Sequence, residues 1–156
     1  MNIIDAKEYL MQLKDIDNLI NAQMEDIRQQ EEMIGCIGSQ ILDGPPSKTN
    51  NTSDKTGTLA TDLAELKNEA AMQCQKYVKI KRTAMSIINE IYPMKYRTVL
   101  TKYYVQNKTL EQTAYDMGKS YQWTCTMRDR ALTEFQRIYE ERMKNERQHS
   151  VLPQLL

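Results

Sequence analysis

A chain of 156 residues has room for one domain, or for a small domain joined to an extended element. With one Phe, one Trp and a mean hydropathy of -0.67 it cannot build a large aromatic core, and ten Met beside many Ile and Leu point to packed helices, an all-α fold. The net charge of zero hides a gradient: residues 1–43 carry nine acids against three bases, 44–91 five against seven, and 92–156 seven against eleven, so an anionic partner is expected at the C-terminal third.

Other classes drop out on composition. No apolar run approaches the roughly 20 residues of a membrane span. The opening MNIIDAKEYL lacks a basic stretch followed by an apolar one, which leads us to expect a cytoplasmic protein with no membrane partner. Cys36, Cys74 and Cys125 are far apart and His149 is the sole histidine, so neither a disulfide framework, a metal site nor a cofactor is expected. No carboxylate pair, phosphate loop or nucleophile with a base appears, and the chain is not expected to be an enzyme.

Asp5 is placed to cap a first helix, with Glu8 three residues on as in a capping box. Leu13, Ile20, Ile27, Ile34 and Ile41 then recur every seven residues, with Tyr9, Ile16 and Ile37 offset by three or four. This is a heptad seam, interrupted by Gln23 and Gln30. Residues 43–57, DGPPSKTNNTSDKTG, are polar and non-periodic and read as a flexible connection. A second seam follows through Leu63, Ala70, Tyr77, Ala84 and Ile91, flanked by Leu59, Leu66, Ile80 and Ile87, with Gln73 its polar member and Thr58 or Thr61 as its cap.

Two such helices most simply fold back as a long antiparallel hairpin over residues 1–91. Setting Ile41 opposite Leu59 brings Leu13 near Ile87 and Gln73 near Gln23 and Gln30, a polar layer that would hold the register. A homodimer through the same seams is the alternative that periodicity leaves open.

Pro93 ends the second pattern. Shorter helices follow over 94–104, 109–117 and 120–143, a module spanning 92–145 before a tail at 146–156. Tyr96, Val99, Leu100 and Tyr103 line one face of the first, and Asn107 lies beyond its end. Thr109 with Gln112 forms a capping box for the second, whose inward stripe is Leu110, Ala114 and Met117. Gly118 suits a helix end that needs positive φ, and Ser120 caps the third helix. There Thr124, Met127, Ala131 and Phe135 mark the buried face, leaving Tyr121, Gln122, Cys125, Thr126 and Asp129 outward. This is the outline of a helix-turn-helix domain.

The run IYPMKYRTVLTKYYVQNKTLEQTAYDMGKSYQWTCTMRDRALTEF resembles region 4 of sigma-70-type transcription factors. The likeness rests on Pro93, Arg97, Val99 and Leu100, on Tyr103 or Tyr104, on the opening Thr109-Leu110-Glu111-Gln112 and on the closing Arg130-Ala131-Leu132. A coiled-coil half joined to such a module is similar to the sigma-region-4-like regulators of phages and prophages of Gram-positive bacteria. The resemblance implies a bacterial transcriptional regulator with double-stranded DNA as partner and RNA polymerase as a further one. It places base contacts on Tyr121, Gln122, Cys125 and Thr126, and phosphate contacts on Lys119, Ser120 and Arg128. Gln122 can pair with adenine through two hydrogen bonds, and Thr126 can meet a base edge or a thymine methyl. The sequence departs from the family at Cys125, often basic, at Thr113, often a branched aliphatic, and at Asp129, an acid beside the DNA face. Alternatives are a DNA-recognition subunit of a phage packaging machine, like a small terminase, and an inhibitor that keeps the shape without binding DNA.

Overall fold

Absence of proline over long stretches sets the architecture. The computed structural model describes residues 5–42 and 51–151, and the side chains of residues 5–36 and 57–149. Among them the regular structure is helical, with no strand: α1 (Ala6–Leu42), α2 (Asn51–Ile88), α3 (Met94–Leu100), α4 (Leu110–Met117) and α5 (Tyr121–Val151). No helix among the described residues is long and apolar enough to cross a membrane.

Asp5 stands where the first helix needs its cap, its carbonyl accepting the Tyr9 amide at 2.9 Å. Helix α2 begins at Asn51, inside the stretch whose composition reads as a connection. Residues 51–57 contain no proline, and once a helix is under way their modest propensities are carried by cooperative propagation. Thr61 accordingly donates to the Gly57 carbonyl at 3.0 Å from within the helix instead of capping it. At its other end α2 winds down through the Glu90 to Ile87 and Ile91 to Ile88 amide-carbonyl bonds, both 3.0 Å, ahead of Pro93.

The chain divides into two compact units, residues 16–77 and residues 1–15 with 78–156. In the first, Ile16, Ile27 and Ala70 are buried, and Ile20, Ile34, Leu63, Leu66 and Tyr77 are half-buried, all on the heptad seams. Glu31 and Lys67 join α1 to α2 by an ion pair at 2.7 Å. Gln23 and Gln30 do not form the expected layer: their Oε1 atoms are buried and accept no hydrogen bond, from Gln73 or elsewhere. Ile37 and Ile41, expected on the same seam, lie outside the described side chains.

The second unit draws its core from five stretches of chain. Leu10 and Leu13 of α1, Ile87, Ile88 and Ile91 at the end of α2, Val99, Leu100 and Tyr104, Thr113 of α4, and Thr124 and Phe135 of α5 are all shielded from solvent. The first turns of α1 are stitched to α5: the Ala6 amide donates to Gln136 Oε1 at 2.6 Å, and the Tyr9 ring lies 6.1 Å from Phe135 and 5.5 Å from Tyr139. Residues 92–145 thus lie in one compact unit with the start of α1 and the end of α2.

Helix α3 does not simply end. It widens into a π-type turn over Thr101–Val105, closed by the Gln106 amide to the Thr101 carbonyl at 2.8 Å. The extra residue per turn moves the buried position on, so Tyr104 is buried and Tyr103, the residue expected on that face, is half-exposed. Asn107 then takes φ +53°, a left-handed conformation that Asn tolerates better than most residues.

Candidate nucleic-acid interface

Thr109 opens α4 with a reciprocal cap: its Oγ1 accepts from the Gln112 amide at 3.1 Å, and its own amide donates to Gln112 Oε1 at 3.0 Å. Leu110, Thr113 and Ala114 form the buried stripe, with Met117 only half-buried. Thr113 fits where a branched aliphatic would, because its hydroxyl donates to the Thr109 carbonyl at 2.8 Å and so carries no unpaired polar atom inward.

Gly118, at φ +62°, turns the chain. The Lys119 amide reaches back to the Ala114 carbonyl at 3.0 Å and the Gly118 amide to Tyr115 at 3.1 Å, the paired bonds of a Schellman end. Ser120 Oγ accepts from the Trp123 amide at 3.1 Å and caps α5. The three residues between α4 and α5 are thus set by backbone geometry on one side and by a side-chain cap on the other. On α5, Thr124, Met127, Ala131, Phe135 and Ile138 face the core.

The seven residues singled out from sequence behave differently from one another. Tyr121, Gln122 and Thr126 are exposed on the first turns of α5, and Cys125 is half-buried between them. Cys125, four residues on from Tyr121, raises the Tyr121 phenol above its ordinary pKa through its side chain. Thr126 gives its hydroxyl proton to the Gln122 carbonyl at 3.0 Å and keeps its methyl and lone pairs outward. Ser120 spends its oxygen on the cap. Lys119 is exposed, its ammonium 5.5 Å from the centre of the half-buried Trp123 ring.

Arg128 is the residue least like its expectation. Nε and Nη2 both donate to Asp129 Oδ1, at 3.1 and 3.0 Å, and the guanidinium lies 5.9 Å from the Tyr103 ring centre. Its side chain is 22% exposed, so it serves packing and an acid neighbour as much as any phosphate.

Periodicity gave no sign of two further features of this unit. Lys14 of α1 donates to the carbonyls of Tyr103 at 2.7 Å and Lys108 at 2.9 Å, and its ammonium sits 4.0 Å over the Tyr103 ring. Asp116 of α4 is paired with Lys102 at 3.2 Å and with Lys108, and these hydrogen bonds hold its carboxyl below the usual range. Together they pin the irregular segment 101–109 on both sides.

No protein-family model matches the chain, and no curated protein or solved structure matches it.

Proposed function

We propose that this protein is a DNA-binding transcriptional regulator of phage or prophage type, whose α4, turn and α5 act as a sigma-region-4-like helix-turn-helix. The observation that carries the reading is the coupling of a capped α4, a Schellman turn at Gly118 and a Ser120 cap to an outward first turn of α5. That outward turn holds Tyr121 and Gln122, with Cys125 and Thr126 one turn on. Such an end can be laid in a major groove, where an amide and a hydroxyl read base edges.

The long helices α1 and α2 would then form the antiparallel hairpin of the seams and serve as the oligomerisation or RNA polymerase contact. Residues 110–132 carry Glu111, Asp116 and Asp129 against Lys119, Arg128 and Arg130. With no net charge there, long-range attraction to DNA is weak and a monomer binds in a salt-sensitive way, strengthened by a second copy or by polymerase. The engagement of Arg128 with Asp129 favours, as a second reading, an inhibitor that keeps the helix-turn-helix shape.

Purification of the tagged protein from a Gram-positive host, with sequencing of bound DNA, separates these readings. Recovery of polymerase and a shared DNA motif is expected; polymerase without DNA supports the inhibitor, and large rings with neither overturn both.

A further inference from the structure

Between Glu69 and Glu90 the sequence contains no acidic residue but holds Lys76, Lys79, Lys81 and Arg82. Within the unit that carries α4 and α5, Lys79, Arg82 and Ser86 of α2 and Asn89 just past its end, its amide bonded to the Met85 carbonyl at 2.9 Å, follow one another at intervals of three, four and three and so share one face. All four are exposed. Neither Lys79 nor Arg82 has its charge spent on an ion pair among the described residues. Ser86 lies beside a further cation, since Arg142 Nη1 donates to its Oγ at 2.9 Å while also pairing with Glu90. An open groove runs along this edge, lined by Lys81, Arg82, Ser86 and Asn89 with Val78 and Met85.

We infer that this face of α2 is a second DNA contact, gripping the phosphate backbone outside the site read by α5; the inference rests on the proposed DNA binding. Two observations favour a nucleic acid over an acidic protein segment. The first is need: the helix-turn-helix brings no net charge, so the phosphate anchoring that supplies most nonspecific affinity has to come from elsewhere in the chain. The second is spacing. Arg142 marks where α5 meets the face, and from Tyr121 to Arg142 the helix rises about 32 Å, close to the roughly 34 Å of one turn of B-DNA. Phosphates one turn from the α5 site are then at the right distance, and lysine, arginine, serine and asparagine are the donors such contacts use.

The test is the salt dependence of binding by the full chain. A labelled mixed-sequence duplex of about 30 base pairs is titrated with wild type, with Lys79→Ala/Arg82→Ala and with Gln122→Ala at several salt concentrations. Loss of two phosphate contacts is expected to lower the slope of log K against log salt by roughly 1.8, at about 0.9 per contact. Thermal unfolding of both variants should match wild type, since the side chains are exposed. Equal slopes for wild type and the double variant on the long duplex overturn the inference while leaving the DNA reading standing, as does a loss confined to binding of polyglutamate. No binding of any duplex by wild type overturns both.

Discussion

Lys14 and Tyr103, 89 positions apart, link α1 to the irregular end of α3: the ammonium donates to the Tyr103 carbonyl at 2.7 Å and covers its ring at 4.0 Å. A π-type turn leaves carbonyls without their ordinary i+4 amide partners, and a lysine that reaches in supplies the missing donor with a full charge. The same ring is approached by Arg128 at 5.9 Å. Tyr103 therefore ties α1 to the helix proposed to read DNA.

Lys14→Met keeps the stem and removes the donor. Hydrogen bonds from charged groups are worth about 1.5–3 kcal/mol, so the substitution is expected to cost on the order of 2 kcal/mol. Urea unfolding followed by the fluorescence of Trp123 would read it. Deletion of residues 1–15 should do far more, because Leu10 and Leu13 are wholly buried there. A fragment beginning at residue 92 that folded with full cooperativity would show that α1 is dispensable and refute this account.

Gly118 is the position where backbone conformation alone sets the residue. Its φ of +62° is left-handed, and a Cβ added there would meet nothing within 4 Å. The cost of Gly118→Ala is then conformational only, about 1 kcal/mol, and Gly118→Asn should recover part of it. Differential scanning calorimetry on the three proteins gives the order Gly, Asn, Ala. An Ala variant as stable as wild type would mean that the Schellman turn is not holding the angle between α4 and α5.

What could be read in advance divides along a physical line. The Thr109–Gln112 box, the Gly118 turn, the Ser120 cap and the buried face of α5 depend on neighbours within a few residues, and sequence carries them directly. Lys14 to Tyr103 and Ala6 to Gln136 join residues 89 and 130 positions apart, and a lysine or a backbone amide leaves no periodic trace. Tyr103 reads as inward for a related reason: a constant helical period places it on the buried face, whereas the wider turn across Thr101–Val105 moves burial on to Tyr104. Among the candidate site residues, position on the outward face was legible for Tyr121, Gln122 and Thr126. The engagement of Arg128 was not, because Asp129 beside it and Tyr103 from another helix decide it together.

Asp116 makes the α3–α4 connection sensitive to acid. Hydrogen bonds from Lys108 and Lys102 depress its carboxyl in the folded state. A depressed carboxylate adds stability above its unfolded pKa, near 3.9 for Asp, and that stability is lost as pH falls through the lower folded value. Melting temperatures of wild type and Asp116→Asn should thus differ at neutral pH and converge in strong acid. The group is solvent-facing, so the neutral-pH difference is small and shrinks further in salt. A gap independent of pH would assign the effect to packing.

Gln23 and Gln30 predict a gain. Each places a buried Oε1 without a donor, a cost of about 1–3 kcal/mol when nothing compensates it. Gln23→Leu and Gln30→Leu remove the orphan acceptor and extend the seam of Ile16 and Ile27, so each should raise stability. If the glutamines instead meet a second copy of the chain, the same changes alter oligomeric state, which sedimentation equilibrium would detect. Stability that falls with no change in mass would contradict both accounts.

Gln122 and Arg128 should separate reading from folding. The Gln122 amide is exposed at the start of α5, so Gln122→Ala leaves stability within about 0.5 kcal/mol. If it pairs with adenine, the same change flattens the preference at one base pair by about 1–3 kcal/mol in a binding-site selection. Arg128→Ala removes a cation from the Tyr103 ring and leaves Asp129 unmatched, so it is expected to lower stability by about 1 kcal/mol before any effect on DNA. Its loss of affinity should be nearly uniform across sequences, as for a phosphate contact. The opposite pattern, with Arg128 setting preference and Gln122 inert, would move the reading surface along α5 by about one and two-thirds helical turns.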